Sequence, residues 1–332
     1  MTPHRTSVVI PCFNGQQYLP QALQSVRDQT RPALEVVVVD DGSAVPVTLP
    51  EGWDGPPIRL FRTPNRGLAS ARNEGLAHAA GEFVAYLDCD DWWHPDKLLK
   101  QEAALDADPE AVGSYTRCAE GDGLFGFGPY PPPGVSRDDL IAVLWHHSFF
   151  PPSSLLARRA VVEAVGRFDP TFPIGEDVDQ YLRLLTVGTL VEVPEPLTFY
   201  RVHPGQMSAD PRKRLTGWTV ARRGMIARHR DLLVGAGLRP DKLWHAHRNH
   251  VLLTFYRRQF RAARPLLWAY WREHPSDWRV LVRLALACLP AGLVARARGT
   301  VPTAPDPRRA DPGAWHRAVR ELAPVLSRPV SP

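Results

Sequence analysis

Residues 35–43 read Glu35-Val36-Val37-Val38-Val39-Asp40-Asp41-Gly42-Ser43. An unbroken run of β-branched residues is typical of a strand in the middle of a parallel sheet, where both faces are buried. The Asp-Asp-Gly-Ser segment that follows has the composition of a tight turn. The sequence therefore predicts a central strand whose carboxyl end opens directly into a polar turn.

The segments on either side continue this pattern. Apolar runs at residues 7–10, 58–61 and 83–87 predict further strands. Between them, residues 16–28 and 68–80 carry apolar side chains at helical spacing, and Gly81 stands where a helix C-cap is expected. Strands separated by single helices predict an α/β fold, a Rossmann-like doubly wound and mostly parallel sheet.

The later elements are predicted from weaker signals. Residues 119–134 are rich in Gly and Pro and predict a mobile loop. We expect a strand at 153–157, helices at 159–165 and 176–187, and two strands at 189–193 and 197–202 separated by Pro194-Glu195-Pro196. Beyond Gly205 the pattern becomes helical and basic, and the prolines of residues 300–313 indicate a linker or frayed tail.

Charge and cysteine content narrow the class of protein. The net charge of +5 combines −11 over residues 1–204 with +16 over residues 205–332, which indicates two regions with different surface partners. The four cysteines have no paired or metal-type spacing, so we expect reduced thiols in a cytosolic protein. The sequence shows no signal peptide and no segment of about 18 uncharged apolar residues.

A dense carboxylate cluster, Asp88-Cys89-Asp90-Asp91, follows the strand predicted at residues 83–87. Carboxylates this close repel one another, and a divalent metal commonly offsets that repulsion. Hard oxygen ligands suit Mn²⁺ or Mg²⁺, which often bridge to substrate phosphates. The alternative is an acidic turn that caps the helix opened by Pro95. Parallel sheets bind ligands beyond the carboxyl ends of their strands, and the polar clusters at 11–14, 40–41 and 88–91 all lie there.

Taken together, six blocks of sequence resemble one family. They are Ser7-Val8-Val9-Ile10-Pro11-Cys12-Phe13-Asn14, Val37-Val38-Val39-Asp40-Asp41-Gly42-Ser43, Asn65-Arg66-Gly67-Leu68-Ala69-Ser70-Ala71-Arg72-Asn73, Asp88-Cys89-Asp90-Asp91, Gly175-Glu176-Asp177 and Tyr200-Arg201-Val202-His203. In this order and spacing they resemble the family 2 glycosyltransferases, which are inverting enzymes of the GT-A fold. The likeness covers residues 5–208. It implies a nucleotide-diphospho-sugar donor, a divalent metal and a hydroxyl-bearing acceptor.

The resemblance also implies a domain plan. Residues 1–208 would form the catalytic domain, with a nucleotide-sugar half at 1–118 and an acceptor half at 119–208. A basic helical extension at 209–299 and a Pro-rich linker and tail at 300–332 would follow.

Eight residues are expected to bind the nucleotide-sugar donor. Asp40 would read a uracil or thymine N–H above a platform of Pro11 and Phe13. The alternatives are an Asx turn for Asp40, and surface pairing with Glu74 or Asp41 for Arg72. The full donor-binding set is Pro11, Phe13, Asn14, Asp40, Arg72, Asp88, Glu176 and Arg201.

The same resemblance implies which residues bind the metal and which residue is the catalytic base. Asp90 would touch the metal directly, Asp88 would bind it through water or hold the ribose, and His203 would reach the metal or the diphosphate. Asp177 matches the base, which an in-line displacement requires on the side opposite the leaving group. The alternatives are ordinary first-turn acids in the helix at 176–187, and a structural histidine at 203. Asp91 would cap the helix after it, and Arg201 has Glu195 as an alternative partner.

The basic region has two interpretations. Residues 212–283 interleave Arg with Trp, which suits a helix lying on an anionic membrane surface. The alternative is a helical subdomain packed on the acidic catalytic domain. The sequence shows no nucleic-acid-binding motif. We therefore expect a cytoplasmic protein, peripheral on the inner face of the cell membrane if the first interpretation holds.

The leading hypothesis is an inverting, metal-dependent glycosyltransferase that moves a sugar from a UDP-sugar to a glycan, lipid-linked or cell-envelope acceptor. A sugar-phosphate nucleotidyltransferase would carry a basic Gly-rich loop after its first strand, and residues 11–17 contain no Lys or Arg. The remaining alternative is a non-catalytic glycan-binding or membrane-surface scaffold of the same fold.

Overall fold

The computed structural model describes residues 4–120, 123–125, 131, 134–146, 148–203, 205–206, 211–239, 243, 260–273, 275–277, 280 and 282–285. By its internal contacts the chain forms two compact units. The first comprises residues 1–209 and 227–236, and the second comprises residues 210–226 and 237–332. The tail predicted at 300–332 lies outside the described residues.

The first unit begins with the predicted alternation of strands and helices. The strands are β1 (Thr6–Cys12), β2 (Glu35–Asp40), β3 (Ile58–Arg62) and β4 (Phe83–Tyr86), and the helices are α1 (Leu19–Arg27) and α2 (Leu68–His78). All residues of β1, β2 and β4 are buried. β2 pairs in parallel with β1 and β3, and β1 pairs in parallel with β4, so their carboxyl ends share one edge of the sheet.

The two faces of β2 pack in different cores, as a doubly wound sheet requires. Val36 and Val38 join the core that includes Leu23 and Val26 of α1. Val37 and Val39 pack instead with Ala71 of α2. The continuous run of valines is therefore explained by burial on both sides.

The rest of the first unit extends the same sheet. Its strands are β5 (Trp92–Trp93), β6 (Ala111–Glu120), β7 (Gly123–Phe125), β8 (Leu155–Arg158) and β9 (Thr189–Phe199). Its helices are α3 (Lys97–Ala107), α4 (Arg137–His146), α5 (Arg159–Ala164) and α6 (Glu176–Leu184). In the described part of the chain the strand order is β3-β2-β1-β4-β8-β6-β9-β5, with β7 paired to β6. This mixed, mostly parallel sheet with flanking helices is the GT-A type Rossmann-like fold.

The prediction of two strands around Pro194-Glu195-Pro196 is wrong. Residues 189–199 form one strand, β9, parallel to β6. The register passes from Thr116 opposite Val193 to Arg117 opposite Pro196, so β9 holds two extra residues at this point. The two extra residues, Pro194 and Glu195, lie outside the ladder, where the missing N–H of Pro194 costs little.

Two further predictions are corrected. The loop predicted at 119–134 contains the end of β6 and the whole of β7, which form an antiparallel hairpin. Gly81 is not the C-cap of α2, because that helix ends at His78 with Ala79 as its cap. A Cβ on Gly81 would lie 2.6 Å from the Arg5 carbonyl oxygen and 2.6 Å from the Ser7 nitrogen. Gly81 is therefore needed for close backbone packing beside β1.

Two helices are described beyond residue 209. They are α7 (Pro211–Gly235), which is interrupted at His229 by non-helical backbone angles, and α8 (Phe260–Glu273). Residues 227–236 of α7 belong to the first unit. Among the described residues, no helix is both long and apolar enough to span a membrane.

Candidate active site

The turn after β2 is ordered by its two aspartates. Asp40 is 1% exposed, and its carboxylate accepts backbone N–H groups from Ser43 (2.8 Å) and Val47 (3.1 Å) and a guanidinium N–H from Arg62 (2.7 Å). Burial alone would raise the pKa of Asp40, but the hydrogen bonds from Ser43 and Val47 and the charge of Arg62 hold it below the ordinary value. Asp40 therefore builds the turn and is ionised within it.

Asp41 joins this turn to the start of α2. Its carboxylate accepts the backbone N–H groups of Arg66 (2.9 Å) and Gly67 (2.8 Å). Both turn aspartates thus have internal partners. The interpretation of Asp40 as a base reader stays a prediction.

The end of β1 supplies the exposed part of the site. Phe13 is 50% exposed, whereas Pro11 is buried within the strand. Asn14 has a φ of 53° and is tied to the neighbouring turn, because its amide oxygen accepts the Ala44 N–H (2.9 Å) and its N–H donates to Ser43 Oγ (2.9 Å). Phe13 is therefore held on a rigid loop with its ring available for stacking.

Arg72 lies at the centre of the site and is 1% exposed. Its guanidinium donates to both oxygens of Asp88 (2.7 and 3.1 Å) and to Glu176 (2.8 Å). Burial would lower the pKa of Arg72, but the charges of Asp88 and Glu176 outweigh it and raise the pKa. Arg72 therefore joins the carboxylate cluster to the first turn of α6, and the alternative of surface pairing with Glu74 or Asp41 is wrong.

Asp90 and His203 form the second contact of the cluster. His203 Nε2 lies 2.9 Å from Asp90 Oδ2, and the imidazole packs 4.8 Å from the ring of Tyr18. Burial and the nearby charge of Asp88 raise the pKa of Asp90, while the hydrogen bond to His203 opposes the increase. The sequence analysis expected both residues to contact the metal, and in the structure their side chains contact each other.

The side chains of this cluster suit a divalent cation that takes only a few of its ligands from the protein. Among the described residues, no group of three or more His, Cys, Asp or Glu side chains has the geometry to hold a metal ion. Mg²⁺ and similar ions, however, are commonly bound through one or two carboxylates and complete their shell with substrate phosphates and water. Two carboxylates, one with a raised pKa, and a neighbouring imidazole satisfy that requirement.

Asp91 has a different role from its neighbours. It is 1% exposed, accepts from Ser153 Oγ (2.6 Å) and from the Arg201 backbone N–H (3.0 Å), and does not cap α3. Burial and the charges of Asp90 and Asp88 raise its pKa well above the ordinary value. Asp91 therefore ties the cluster to the turn before β8 and to the segment after β9.

Ser153 is the main residue that sequence reasoning missed. Its hydroxyl also accepts the Asp88 N–H (3.1 Å), and its carbonyl accepts the indole N–H of Trp93 (2.7 Å). The only local signal is its position after Pro151-Pro152, which precedes a short 3₁₀ turn.

Arg201 closes the same side of the site. Its Nε donates to the Asp90 carbonyl oxygen (2.8 Å), and a terminal N–H donates to Gln21. The guanidinium lies over the rings of Tyr18 (5.0 Å) and Trp92 (4.8 Å). Arg201 does not pair with Glu195, which contacts Lys100 instead.

The loop after β1 packs directly on the cluster. A Cβ added to Gly15 would lie 2.4 Å from Cys89 Sγ and 3.4 Å from Cys12 Sγ. The position therefore admits only glycine without movement of Cys89, which stands between Asp88 and Asp90.

Asp177 lies in the first turn of α6, after Gly175 in the left-handed conformation. Ser148 Oγ donates to Asp177 Oδ2 (3.3 Å), and the Val178 N–H donates to Oδ1 (2.8 Å). Burial and then the charge of Glu176 raise the pKa of Asp177 to about 7, against the hydrogen bond from Val178 and the charge of Arg72. A carboxylate with a pKa near neutrality is suited to accepting a proton.

The fold and the site define a class of protein. A GT-A type sheet presents at its carboxyl edge two turn aspartates, an Asp-x-Asp cluster beside a histidine, and a carboxylate of raised pKa. Residues 7–166 match the family model of Glycosyl transferase family 2. Glu176, Asp177, Arg201 and His203 lie after the matched segment.

Part of the chain is similar to curated proteins that are named as glycosyltransferases. An uncharacterized glycosyltransferase of Nostoc sp. is 34% identical over 210 residues, which are 60% of this chain and 65% of that protein. The amylovoran biosynthesis glycosyltransferase AmsB of Erwinia amylovora is 28% identical over 210 residues, 59% of this chain and 69% of that protein. This chain thus spans a little less than two thirds of the Nostoc relative's length.

Two solved structures share the fold. S. aureus TarS 1–349 in complex with UDP-GlcNAc has a TM-score of 0.52 at 19% identity, covering 67% of this chain and 66% of that one. The mannosyltransferase PcManGT of Pyrobaculum calidifontis, in complex with GDP-Man and Mn²⁺, has a TM-score of 0.52 at 18% identity, covering 86% and 87%. At these identities the likeness supports the architecture alone.

Proposed function

We propose that this protein is an inverting glycosyltransferase that moves a sugar from a nucleotide-diphospho-sugar to a hydroxyl of an acceptor. The observation that carries the proposal is Asp177 in the first turn of α6, where Ser148 Oγ and the Val178 N–H hold its carboxylate and burial raises its pKa, which suits it to accept a proton. In the single displacement, the acceptor oxygen forms a bond to the anomeric carbon and gives its proton to Asp177. The bond from that carbon to the diphosphate breaks, and the diphosphate leaves with the electron pair.

We propose a UDP-sugar as the donor. The half-exposed ring of Phe13 offers a stacking surface, and the adjacent Asp40 turn presents its ordered backbone beside it. TarS, which shares the fold, is known in complex with UDP-GlcNAc. PcManGT, of the same architecture, is known with GDP-Man, so the test below includes a guanosine donor.

The donor diphosphate would lie against Asp88, Asp90 and Arg201. Asp90, with Asp88 and His203, would hold Mn²⁺ or Mg²⁺, as the oxygen-rich donor set suggests. When bound, such an ion neutralises charge that develops on the leaving diphosphate. The Arg201 guanidinium donates to the Asp90 carbonyl oxygen and adds a fixed positive charge beside the expected position of the diphosphate. Arg72 keeps Asp88 in place.

We propose a glycan, lipid-linked or cell-envelope acceptor, reached from the cytoplasmic face of the membrane. AmsB, by its name, is a glycosyltransferase of amylovoran biosynthesis. On α8, Trp268 is 50% exposed and Arg272 is exposed one turn later, a pairing suited to an anionic lipid surface. Flotation of the full chain with vesicles of anionic or neutral lipid tests this, with Trp268→Glu as the variant. Equal flotation of both proteins on anionic vesicles would refute the membrane contact.

One screen tests the activity. Thermal shift and donor hydrolysis are measured with UDP-, dTDP- and GDP-sugars, each with Mn²⁺, Mg²⁺ or EDTA. We expect one donor to stabilise the wild type only with metal, Asp90→Ala to lose that stabilisation, and Asp177→Asn to keep donor binding but lose turnover. If no nucleotide-sugar binds under any condition, the catalytic proposal fails and a scaffold of the same fold takes its place.

A further inference from the structure

Asp179 lies two residues after the proposed base, on the same turn of α6, and is 0% exposed. Its carboxylate accepts from Arg183 (3.0 Å) one turn along the helix. It is also held by two residues of α7: Arg228 donates to both oxygens (2.9 and 3.0 Å), and His229 Nε2 lies 2.8 Å from Oδ1. Three side chains from two helices therefore surround one buried carboxylate.

This carboxylate remains ionised because of those partners. Burial alone would raise the pKa of Asp179, but the hydrogen bond from His229 and the charges of Arg183 and Arg228 outweigh it and lower the pKa. Removing one partner of a buried charge costs much more than removing an exposed ion pair, because the remaining charge stays buried and uncompensated. The position of α6 is therefore coupled to Arg228 and His229.

The same arginine reaches the donor side of the site. Arg228 also pairs with Asp169, in the loop between α5 and α6. The adjacent Phe168 is tied to α2, because the Asn73 amide donates to its carbonyl oxygen (2.7 Å) and its N–H donates to Asn73 Oδ1 (2.9 Å). The ring of Phe168 lies 5.3 Å from the guanidinium of Arg72. A continuous series of contacts thus joins residues 227–236, α6 and the Arg72 centre.

We propose that Arg228 and His229 are positioning residues for Asp177, acting through Asp179. The proposal rests on the assignment of Asp177 as the base. It extends the catalytic apparatus to residues 227–236, well past the segment 7–166 that matches the family. Arg228 and His229 fix the position of α6 through Asp179, so that the Asp177 carboxylate stays within reach of Ser148 Oγ.

The experiment compares His229→Ala and Arg228→Ala with the conservative variants His229→Gln and Arg228→Lys. Arg230→Ala, an exposed position on the same helix, is the control. We expect the alanine variants to lose about 10- to 100-fold in kcat, the size of effect that a small displacement of a catalytic group produces. His229→Gln should recover much of kcat, since its amide nitrogen can donate to Asp179.

A second readout does not depend on turnover. The titration of Asp177 is followed by ¹³C NMR of the carboxyl carbon, with the signal assigned from Asp177→Asn. In the alanine variants we expect the pKa to fall from about 7 towards its ordinary value of 3.8 as water reaches the displaced carboxylate, and in Arg230→Ala to stay unchanged. A purely structural role would lower the melting temperature and leave both kcat and this pKa unchanged, and that result would overturn the proposal. If the wild type is inactive, the proposed function has failed, and the titration still decides whether Arg228 and His229 position α6.

Discussion

Asp177 makes activity dependent on pH in a way that an ordinary aspartate would not. Its pKa is raised from 3.8 to about 7, first by burial and then by the charge of Glu176. The base must be ionised to accept a proton, so activity should rise with pH and level off above neutrality. With a pKa of about 7, roughly 1% of Asp177 is ionised at pH 5 and roughly 90% at pH 8. We therefore expect kcat/KM to increase about 90-fold between these pH values.

Two neighbouring variants should move this inflection in opposite directions. Glu176→Gln removes the like charge, so the pKa of Asp177 should fall and activity should persist at lower pH. Ser148→Ala removes the hydroxyl that donates to Asp177 (3.3 Å), so the pKa should rise further. The assay is the initial rate of transfer across pH 5 to 9 at saturating and subsaturating donor. A profile that is flat down to pH 5, or that shifts in the same direction in both variants, would refute the assignment.

The same pKa also has a cost in stability. Between pH 3.8 and about 7 the folded state binds more protons at Asp177 than the unfolded state, so this residue lowers the free energy of unfolding as pH rises. A shift of about three units corresponds to about 4 kcal/mol, which is fully present above pH 7. Asp177→Asn should therefore be inactive yet more stable than the wild type at pH 8, with little difference at pH 4. Urea unfolding at the two pH values measures this, and a destabilised variant at pH 8 would contradict it.

Three other perturbations have defined outcomes. Burial lowers the pKa of Lys97, which is 0% exposed, to about 7, so the unfolded state binds more protons than the folded state above that pH. The unfolding free energy of the wild type should therefore rise by about 1.4 kcal/mol per pH unit between pH 7 and 10, and Lys97→Met should remove this rise. Urea unfolding that gives the same pH dependence for both proteins would contradict it. Gly15→Ala should lower the unfolding free energy by about 1–3 kcal/mol through overpacking and should weaken donor binding measured by calorimetry. Adding Cys89→Ala should restore both stability and binding, and a double variant no better than Gly15→Ala would show that the clash with Cys89 Sγ is not the cause. Ser153→Ala, which leaves the buried Asp91 with one partner fewer, should lower the unfolding free energy by about 1–3 kcal/mol, and an unchanged melting temperature would show that Asp91 does not need this hydroxyl.

Elements with a strong local signal could be predicted from the sequence. The runs in β1, β2 and β4 are apolar over their whole length because both faces of the sheet are covered, and no other local structure suits them. β6 gave no such signal, since polar residues are buried within it. Gln101, 13 residues earlier, bonds to Ser114, and Thr198, 82 residues later, bonds to Thr116. From the sequence alone β9 is predicted as two strands, because the bulge around its prolines forms only through pairing with β6.

The candidate site shows the same division. Asp88, Asp90, Asp177 and His203 were predicted by motif, whereas the contacts of Asp88 with Arg72 and of Asp177 with Ser148 were not. Arg72 could not be assigned to the interior from its helical position alone, because its burial depends on Glu176, 104 residues later. Ser153 carries no motif, and its role arises only when Asp91, 62 residues earlier, packs against it.

These long separations affect how the protein is made. The Arg201 N–H to Asp91 and His203 to Asp90 contacts close loops of 110 and 113 residues. At a synthesis rate of about 5–20 residues per second, the Asp88–Asp91 cluster waits roughly 6–20 s for its last partners. Until then its buried acids lack the groups that offset their charge, so this side of the sheet should become ordered after the β1–β4 core. A nascent chain halted before residue 201 should therefore have a folded β1–β4 core and no capacity to hold a donor.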